Sequence, residues 1–469
     1  MSREEAIGKS LAYFDDFENG YISDLKELIS IPTESQNPES GLHLTYYLEN
    51  VMVHKFEDLG FDCKIYQNPI EGCAPVLLAA RIEGAGFPTI LGYGHGDVIL
   101  GQEDAWAGGL KPWQLTVEND CIYGRGTADN KGQHLAHLVA LRSILQTRGS
   151  LEFNSKFILE MGEERGSRGL RQLVAENSES FSADTFFASD GPRVSVNQAN
   201  ITLGNRGVTN FNLVCNYRDG SHHSGNWGGL LANPGIVLAH AIASIVDAKG
   251  RIKVPEWRVG PVPENIREAL ENLQRDQDVS SPEIDIHWGE PGLTSIEKVT
   301  ASNTFEILAF ETGDPRKPVN AIPPSAVAVC QLRFVVGTDH TNILKNLRNH
   351  LDREGFADVE IENIEGEAVI HFEATRTDPD NPWALWVRDS VERTLETPCG
   401  ILPNSGGSNV TEVMQYELSM PTVWLPLSHA ACSQHAPNEH ILGSMMREGL
   451  ASVTGVYWDL GLPELQYRV

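Results

Sequence analysis

The fold is decided by two neighbouring segments, Gly94-His95-Gly96-Asp97-Val98 and Tyr123-Gly124-Arg125-Gly126-Thr127-Ala128-Asp129-Asn130-Lys131-Gly132. The first segment follows an apolar run, and the second leads into a helical pattern. The imidazole of His95 and the carboxylate of Asp129 are typical ligands of zinc and of similar divalent metals, provided that the fold brings them together. The two segments therefore predict a metal site, for which the rest of the chain must supply the other ligands.

Length and charge limit the class of protein. At 469 residues the chain is too long for a single hydrophobic core, and about two to three domains are expected. The formal net charge is −28, from 64 acidic and 36 basic residues. Such an excess of negative charge argues against nucleic acid or an anionic membrane surface as a partner.

Cysteine usage and the N-terminal composition bear on the compartment. The seven cysteines are scattered and form no Cys-x-x-Cys pair, so neither a disulfide framework nor a cysteine-rich zinc site is expected. The N-terminal residues are polar and acidic, and no run reaches the roughly 18 apolar residues of a membrane span. We expect a cytoplasmic protein.

Apolar and amphipathic segments alternate through much of the chain. Strands are predicted at Thr89–Tyr93, Lys156–Met161 and Thr185–Ser189, and leucines at helical spacing predict a helix at Lys131–Leu145. The same alternation returns near the C-terminus, where helices are predicted at Trp383–Leu395 and Gly443–Tyr457 and a strand at Thr422–Leu425. The alternation predicts an α/β fold with a mixed, mostly parallel sheet flanked by helices.

The order of predicted strands and helices changes in the middle of the chain. The elements predicted there follow the order β-α-β-β-α-β, which suits a ferredoxin-like α+β domain. They are Val208–Tyr217, Leu230–Val246, Phe305–Phe310, Ala326–Val336, Thr341–Leu351 and Val359–Ile364. We therefore predict an α/β domain in two parts, 1–206 and 376–469, with a second domain inserted at 207–375.

Residues of metal-ligand type stand where predicted strands end. His95, the doublet Glu163-Glu164 and Asp190 each follow a predicted strand, whereas Asp129 stands at a helix entrance. Open α/β sheets build their sites at the carboxyl ends of strands, so these side chains are expected to meet. A polar loop that contains His435 could add a further ligand.

The charges of this set favour two metal ions. Carboxylates at close quarters, here Asp129, Glu164 and Asp190, raise one another's pKa unless cations lie between them. In hydrolytic sites two divalent ions lie about 3.5–4 Å apart and share a carboxylate. One carboxylate must stay free to take a proton from water, and the doublet Glu163-Glu164 offers both roles side by side.

Five motifs together resemble the M20 metallopeptidases, from about Leu28 to the C-terminus. They are His95-Gly-Asp97, Gly124-Arg-Gly-x-x-Asp129-x-Lys131-Gly132, Gly162-Glu163-Glu164, Ser189-Asp190-Gly191 and His435-x-Pro437-Asn438-Glu439. Each motif is weak alone, but their joint occurrence in this order is very specific. That family contains carnosinase-like dipeptidases, carboxypeptidases and N-acyl amino acid deacylases, and the resemblance implies a zinc-exopeptidase type of fold whose inserted domain serves as a lid and in dimerisation.

The resemblance also assigns roles in a two-metal site. It implies that Asp129 bridges both metals, that Glu163 is the general base and that Asp97 orients the first histidine. The remaining ligands implied are His95 and Asp190 for one metal and Glu164 and His435 for the other. Zinc is the expected metal, with manganese and cobalt as alternatives, because such ligands discriminate poorly among these ions.

Substrate contacts are implied by further matches to the family. His223 resembles a lid histidine that reaches the site of a neighbouring subunit in a homodimer, although Ser221-His222 departs from the family pattern and leaves His222 as the alternative. The other matches are Asn320, Arg333, Gly407 and Ser408. A guanidinium and a Gly-rich loop suit a substrate with a free C-terminal carboxylate.

The leading hypothesis is a dipeptidase that cleaves a small substrate with a free carboxylate. The alternatives are an N-acyl amino acid deacylase, a carboxypeptidase, or a non-catalytic relative that binds metal or amino acids. We expect specificity to depend on the insertion at 255–300 and on Leu402–Ser405. Among other histidines near these motifs, His134 and His137 are expected to serve packing and solvent contact, and His429 and His440 are expected to lie at the surface.

Overall fold

The computed structural model describes residues 1–274, 276, 282–363 and 371–462. The strands, in chain order, are β1 Asp62–Tyr66, β2 Val76–Arg81, β3 Thr89–His95, β4 Thr116–Glu118, β5 Cys121–Tyr123, β6 Asn154–Glu160, β7 Thr185–Ala188, β8 Pro192–Arg193, β9 Asn200–Thr202, β10 Gly204–Asn205, β11 Gly207–Asn216, β12 His222–His223, β13 Thr304–Glu311, β14 Ala321–Ile322, β15 Ser325–Phe334, β16 Glu360–Asn363, β17 His371–Phe372, β18 Thr375–Arg376, β19 Gly400–Leu402, β20 Thr422–Trp424, β21 Ser428–His429 and β22 His440–Leu442.

Helices alternate with these strands. They are α1 Arg3–Asp15, α2 Tyr21–Ile29, α3 Gly41–Tyr46, α4 Val53–Glu57, α5 Lys131–Arg148, α6 Leu170–Glu176, α7 Ser178–Phe181, α8 Ser224–Trp227, α9 Pro234–Ile245, α10 Glu264–Glu271, α11 Ser295–Thr300, α12 Ile343–Arg353, α13 Pro382–Leu395 and α14 Gly443–Leu460. A π-helical segment, Tyr47–Met52, joins α3 to α4, and a 3-10 turn spans Glu163–Arg165.

The larger sheet has eight strands in the order β1-β2-β6-β3-β7-β20-β9-β19. Its centre is parallel, since β3 pairs in parallel with β6 and β7, and β7 with β20. The pairs β1–β2, β2–β6 and β20–β9 are antiparallel. The predicted α/β fold with a mixed sheet is confirmed, and the parallel centre places the carboxyl ends of β3 and β7 at one edge.

Helices cover both faces of this sheet. On one face α5 packs against α14, α1 and α2, and the predicted inward residues Leu135, Leu138 and Leu141 are buried in its core. On the other face α6 lies over a separate apolar cluster that includes Tyr93 and Trp424. The strands are therefore buried on both sides, which explains their continuous apolar runs.

Glycines in β3 allow this close packing. An added Cβ at Gly94 would collide with His134 of α5, and one at Gly96 would collide with Tyr47. The glycine run in front of the first motif thus serves the approach of helix to strand, and His95 follows Gly94 at the last position of β3.

A second sheet of five strands is antiparallel throughout. Its order is β13-β15-β11-β16, with β17 also paired to β11. Helices α9 and α12 pack with these strands around their own apolar core, which is centred on Phe211, Trp257 and Leu332. The observed order of elements agrees with the predicted β-α-β-β-α-β arrangement, whereas the domain boundaries at 207 and 375 and the lid role stay predictions.

Some predicted elements differ in extent. Helix α9 begins at Pro234 rather than Leu230, because the Asn233 side chain accepts hydrogen bonds from the first backbone amides and Pro234 occupies the first helical position. The insertion at 255–300 contains α10 and α11, which the sequence did not reveal. Ile364, at the end of a predicted strand, lies outside the described residues. No helix in the described part of the chain is both long and apolar enough to cross a bilayer.

Candidate metal centre

Three predicted ligands meet at the carboxyl edge of the larger sheet. His95 ends β3, Asp190 follows β7, and Asp129 precedes α5. One ligand atom from each lies within 4.8 Å of the others, and His95 Nε2 is 2.9 Å from Asp129 Oδ1. The strand ends bring distant sequence positions together, as the sheet topology requires.

A second group shares one member with the first. His435 Nε2 lies 3.0 Å from Asp129 Oδ2 and 3.0 Å from Glu164 Oε2. Asp129 therefore presents one carboxylate oxygen to each group. The side chain of His435 is 54% exposed, so this group opens towards solvent, whereas His95 is fully buried. Gln434 also donates a hydrogen bond to the Asp129 carboxylate.

Asp97 connects the two groups. Its main-chain oxygen lies 3.1 Å from His95 Nδ1, and its carboxylate lies slightly farther, at 3.4 Å. The carboxylate also accepts hydrogen bonds from the backbone amides of Glu163, at 3.2 Å, and Glu164, at 3.1 Å. Asp97 thus orients the histidine through its carbonyl as well as its side chain, and it fixes the turn that carries the acidic doublet.

Glu439 holds the loop that precedes Asp129. Its buried carboxylate accepts hydrogen bonds from the amides of Gly126, Ala128 and Asp129, each at 3.0 Å. Arg125 Nη1 donates to the same carboxylate at 2.8 Å. The motif around His435 is therefore tied to the loop of Asp129, a role that the sequence did not reveal although Glu439 was part of a recognised motif.

The acidic side chains of the site disfavour one another's charge. Burial, followed by the charge of Asp129, raises the pKa of Glu164 to about 7 and that of Asp190 to about 6. Burial also raises the pKa of Glu163 well above its usual value, and the charges of Glu164 and Asp190 add to this. Positive charge among these carboxylates would stabilise their ionised forms.

The pKa values of two histidines and Asp129 shift so that the charged form of each side chain is favoured. Burial opposes ionisation of Asp129, but hydrogen bonds from His435 and His95 outweigh it and lower its pKa. Hydrogen bonds with Asp129 and Glu164 raise the pKa of His435 to about 11. For His95, burial lowers the pKa, and hydrogen bonds with Asp129 and Asp97 raise it well above normal. Asp129 is thus the central anion of the cluster.

A cavity of about 990 Å³ opens at this cluster. Asp129, Glu163, Asp190 and His435 lie on its wall, so the predicted base and three predicted ligands face the same space. The volume is at the upper end for small-molecule sites, which are typically about 300–1,000 Å³.

Predicted carboxylate-binding residues lie together at another side of the same cavity. Ser408 and the loop Ser405–Gly407 line the cavity, and Arg333 Nη1 donates to Ser408 Oγ at 3.3 Å. Arg206, which the sequence did not single out, is buried and donates to the Gly406 oxygen at 3.4 Å. Neither arginine has a carboxylate within ion-pair distance among the described residues, although the charge of Glu306 acts on Arg206 from farther away.

His223 and Asn320 are brought to each other but not to the cavity of this chain. In the short ribbon of β12 and β14, His222 pairs with Ile322 and His223 with Ala321. Asn320 precedes β14, and its oxygen accepts a hydrogen bond from the Ser224 amide at 2.9 Å. His223 is exposed, and its Nδ1 accepts a hydrogen bond from the Gly225 amide. Its predicted role in a neighbouring subunit stays a prediction.

Of the other histidines near the motifs, His134, His137 and His429 are buried and His440 is half-buried. His137 contacts Tyr457 and Ser189, and His134 contacts Tyr47, which fits the structural role expected for both. The expectation that His429 is a surface residue is wrong, because β21 pairs with β8 and buries it on the cavity wall. His440 is half-buried, 5.1 Å from the Tyr123 ring centroid.

Comparison with known proteins identifies relatives along nearly the whole chain. A sequence model described as peptidase family M20/M25/M40 matches residues 91–458. The Beta-Ala-His dipeptidase of Mus musculus is 27% identical over an alignment covering 93% of this chain and 92% of that protein. The cysteinylglycine-S-conjugate dipeptidase of Corynebacterium striatum is 28% identical, with 70% of this chain and 71% of that protein covered.

Solved structures share the fold. Human carnosine dipeptidase 1 has a TM-score of 0.75 at 23% identity, covering 97% of this chain and 98% of that chain. The metallo-carboxypeptidase Sso-CP2 from Sulfolobus solfataricus has a TM-score of 0.76 at 24% identity, covering 94% and 99%. At these identities the likeness extends to architecture, and the chemistry must be argued from the residues of the site.

Proposed function

The chain belongs to peptidase family M20/M25/M40 and is a hydrolytic enzyme, and we propose that it is a two-metal dipeptidase whose substrates carry a free C-terminal carboxylate. The observation that carries the proposal is the shared carboxylate of Asp129, which joins two groups of ligand type at the mouth of a substrate-sized cavity. Relatives named dipeptidases support the choice of reaction.

The donor set fits two divalent cations. Each group contains one imidazole and two carboxylates, which suit zinc, manganese or cobalt, and zinc is our first choice. His95 and Asp190 would hold one ion, Glu164 and His435 the other, and Asp129 both. When bound, the ions would supply Lewis acidity and make water a better nucleophile at neutral pH.

Glu163 is the proposed general base. It faces the cavity, and its backbone is fixed by the hydrogen bond from its amide to Asp97. We propose that its carboxylate accepts a proton from the attacking water and returns it to the leaving amine. Because Glu164 is assigned to a metal, the neighbouring carboxylate of Glu163 is available for this proton transfer.

The loop Ser405–Ser408 and the arginines behind it are the proposed carboxylate site. Arg333 and Arg206 meet this loop and form no close ion pair in the described part of the chain, and a buried or half-buried cation without a close ionic partner is costly. A substrate carboxylate at Gly407 and Ser408 would satisfy that charge through hydrogen bonds that are stronger than neutral ones.

We propose a homodimer that places His223 and Asn320 at the partner's site. Strand β13 is an edge of the second sheet, and its apolar residues Ile307, Leu308 and Phe310 are exposed. An exposed apolar edge strand is a template for pairing with another chain. A second copy at β13 would cover it. The cytoplasmic location stays a prediction.

A hydrolysis screen of the metal-loaded protein tests the proposed function. Dipeptides should be cleaved, and their C-terminally amidated analogues should react roughly 10- to 100-fold more slowly, since about 1.5–3 kcal/mol is the worth of a hydrogen bond to a charged group. Preference for N-acyl amino acids would instead favour the deacylase alternative. Equal rates on free and amidated dipeptides would refute the carboxylate site.

A further inference from the structure

One wall of the large cavity is apolar and lies away from the cluster of metal-ligand residues. It is formed by Val194, Val196, Ile296, Val299 and Leu402. Val196 and Val299 keep 37% and 39% of their surface exposed, so the wall has apolar area available for contact. Exposed apolar surface inside a cavity that also holds a reactive centre is typical of a substrate subsite.

This wall is held in place by contacts with neighbouring segments of the chain. The Ser195 hydroxyl donates to Asp276 Oδ1 at 2.6 Å, and the amide of Val196 donates to the same carboxylate. On the opposite side, α11 begins with a capping box between Thr294 and Glu297, which fixes the helix that carries Val299. These contacts therefore fix the positions of the residues that form the wall.

The described lining near this wall offers no free cation for an anionic substrate group. Outside the cluster of metal-ligand residues, the charged residues that the structure describes on the cavity surface are Arg193 and Asp276. Arg193 pairs with Glu448 at 2.5 Å and donates from Nε to the Pro426 oxygen at 3.1 Å. Asp276 accepts hydrogen bonds from Ser195 and Val196 but forms no ion pair among the described residues, so it adds negative charge beside the wall. An anionic substrate group placed here would lose hydration and be repelled by Asp276.

The position of the wall relates it to one end of the substrate. Val299 adjoins the proposed carboxylate loop, since a Cβ added at Gly406 would lie 3.0 Å from Val299 Cγ1. With the carboxylate at the proposed loop, the side chain of the same substrate residue would lie close to Val299. We infer that the cavity contains a subsite for the side chain of the C-terminal residue, and that it accepts uncharged apolar side chains such as leucine and phenylalanine.

This inference rests on the proposed dipeptidase function and adds the class of substrate. Burying an apolar side chain against this wall removes both surfaces from water. One hydrophobic contact of this kind typically changes selectivity by about 10- to 200-fold. The wall residues lie in the segments 255–300 and 402–405, where the sequence analysis expected specificity, and in the turn after β8, where it did not.

Steady-state kinetics on a series of dipeptides tests the inference. With alanine as the fixed N-terminal residue, C-terminal leucine and phenylalanine should exceed glycine in kcat/KM by about tenfold or more, and aspartate should be poorer. Val299→Asp and Val196→Asp should lower the ratio of Ala-Leu to Ala-Lys hydrolysis by about tenfold. A ratio is unaffected by the fraction of protein that folds.

Val117→Asp is the matched control, because Val117 is 38% exposed and lies on β4, away from the cavity. It should leave the Ala-Leu to Ala-Lys ratio unchanged. Hydrolysis with no preference among C-terminal side chains, or the same change of ratio in the control, would overturn the inferred subsite and leave the proposed dipeptidase function standing. Failure to cleave any dipeptide would overturn the proposed function, and the subsite with it.

Discussion

At the scale of single residues, Glu439 explains how two loops from distant parts of the chain keep a common geometry. Its carboxylate is shared by three backbone amides of the Asp129 loop and by Arg125, while His435 lies only a few residues before it. Anything that loosens this contact should move both groups of metal-ligand residues relative to each other. Glu439 is therefore a positioning residue in our interpretation.

Glu439→Gln tests that role. Removing one charge of a buried ion pair should lower the free energy of unfolding by about 3–5 kcal/mol, measured by chemical denaturation. Metal affinity, measured by competition with a chromogenic chelator, should fall as well. Glu83→Gln is the control, since the carboxylate of Glu83 also accepts from an arginine and a backbone amide but lies elsewhere. Equal metal affinity in the two variants would contradict the positioning role.

His137 predicts a pH dependence of stability. Burial lowers its pKa from 6.5 to about 3, so the folded state holds a neutral ring that the unfolded state protonates more readily. The contribution of the neutral His137 ring to the free energy of unfolding is complete above pH 6.5 and is lost as the pH falls towards 3. The stability of the wild type relative to His137→Gln, measured by denaturant titration, should therefore shrink over that range. A constant difference would contradict the prediction.

At the scale of elements, long periodic segments were predictable and short strands were not. Strand β3 and helix α5 carry strong apolar patterns, so their existence followed from the sequence. Strands β1, β9 and β19 have only three to five residues each, too few to show a clear periodic pattern. They become strands through pairing with neighbours in the sheet, which is a tertiary effect that local sequence does not encode.

The edge strand β13 gives a prediction at this scale. Phe310→Lys places a charge on the exposed apolar edge and should shift the proposed dimer towards monomer, because charges on edge strands oppose pairing. Sedimentation velocity across a concentration series measures this shift. Leu42→Lys, at a site that is 84% exposed on α3, should leave the dimer intact. A monomeric wild type would refute the dimer itself.

At the scale of the whole molecule, two apolar cores flank the site without containing it. The larger core lies between the main sheet and α5, and the second core belongs to the antiparallel sheet that carries Arg333. The sequence identified the side chains that form the cluster, because motifs mark strand ends. It did not reveal Arg206, the role of Glu439 or the apolar wall, because those depend on which loops meet in space.

The most direct test of a two-metal hydrolase with Glu163 as its base pairs metal content with turnover in Glu163→Gln. We predict about two metal ions per chain in both wild type and variant, since Glu163 is not among the proposed ligands. Turnover of a dipeptide should fall by about 10²–10⁴-fold in the variant, the usual worth of general acid–base catalysis. Turnover equal to that of the wild type at unchanged metal content would contradict the central claim.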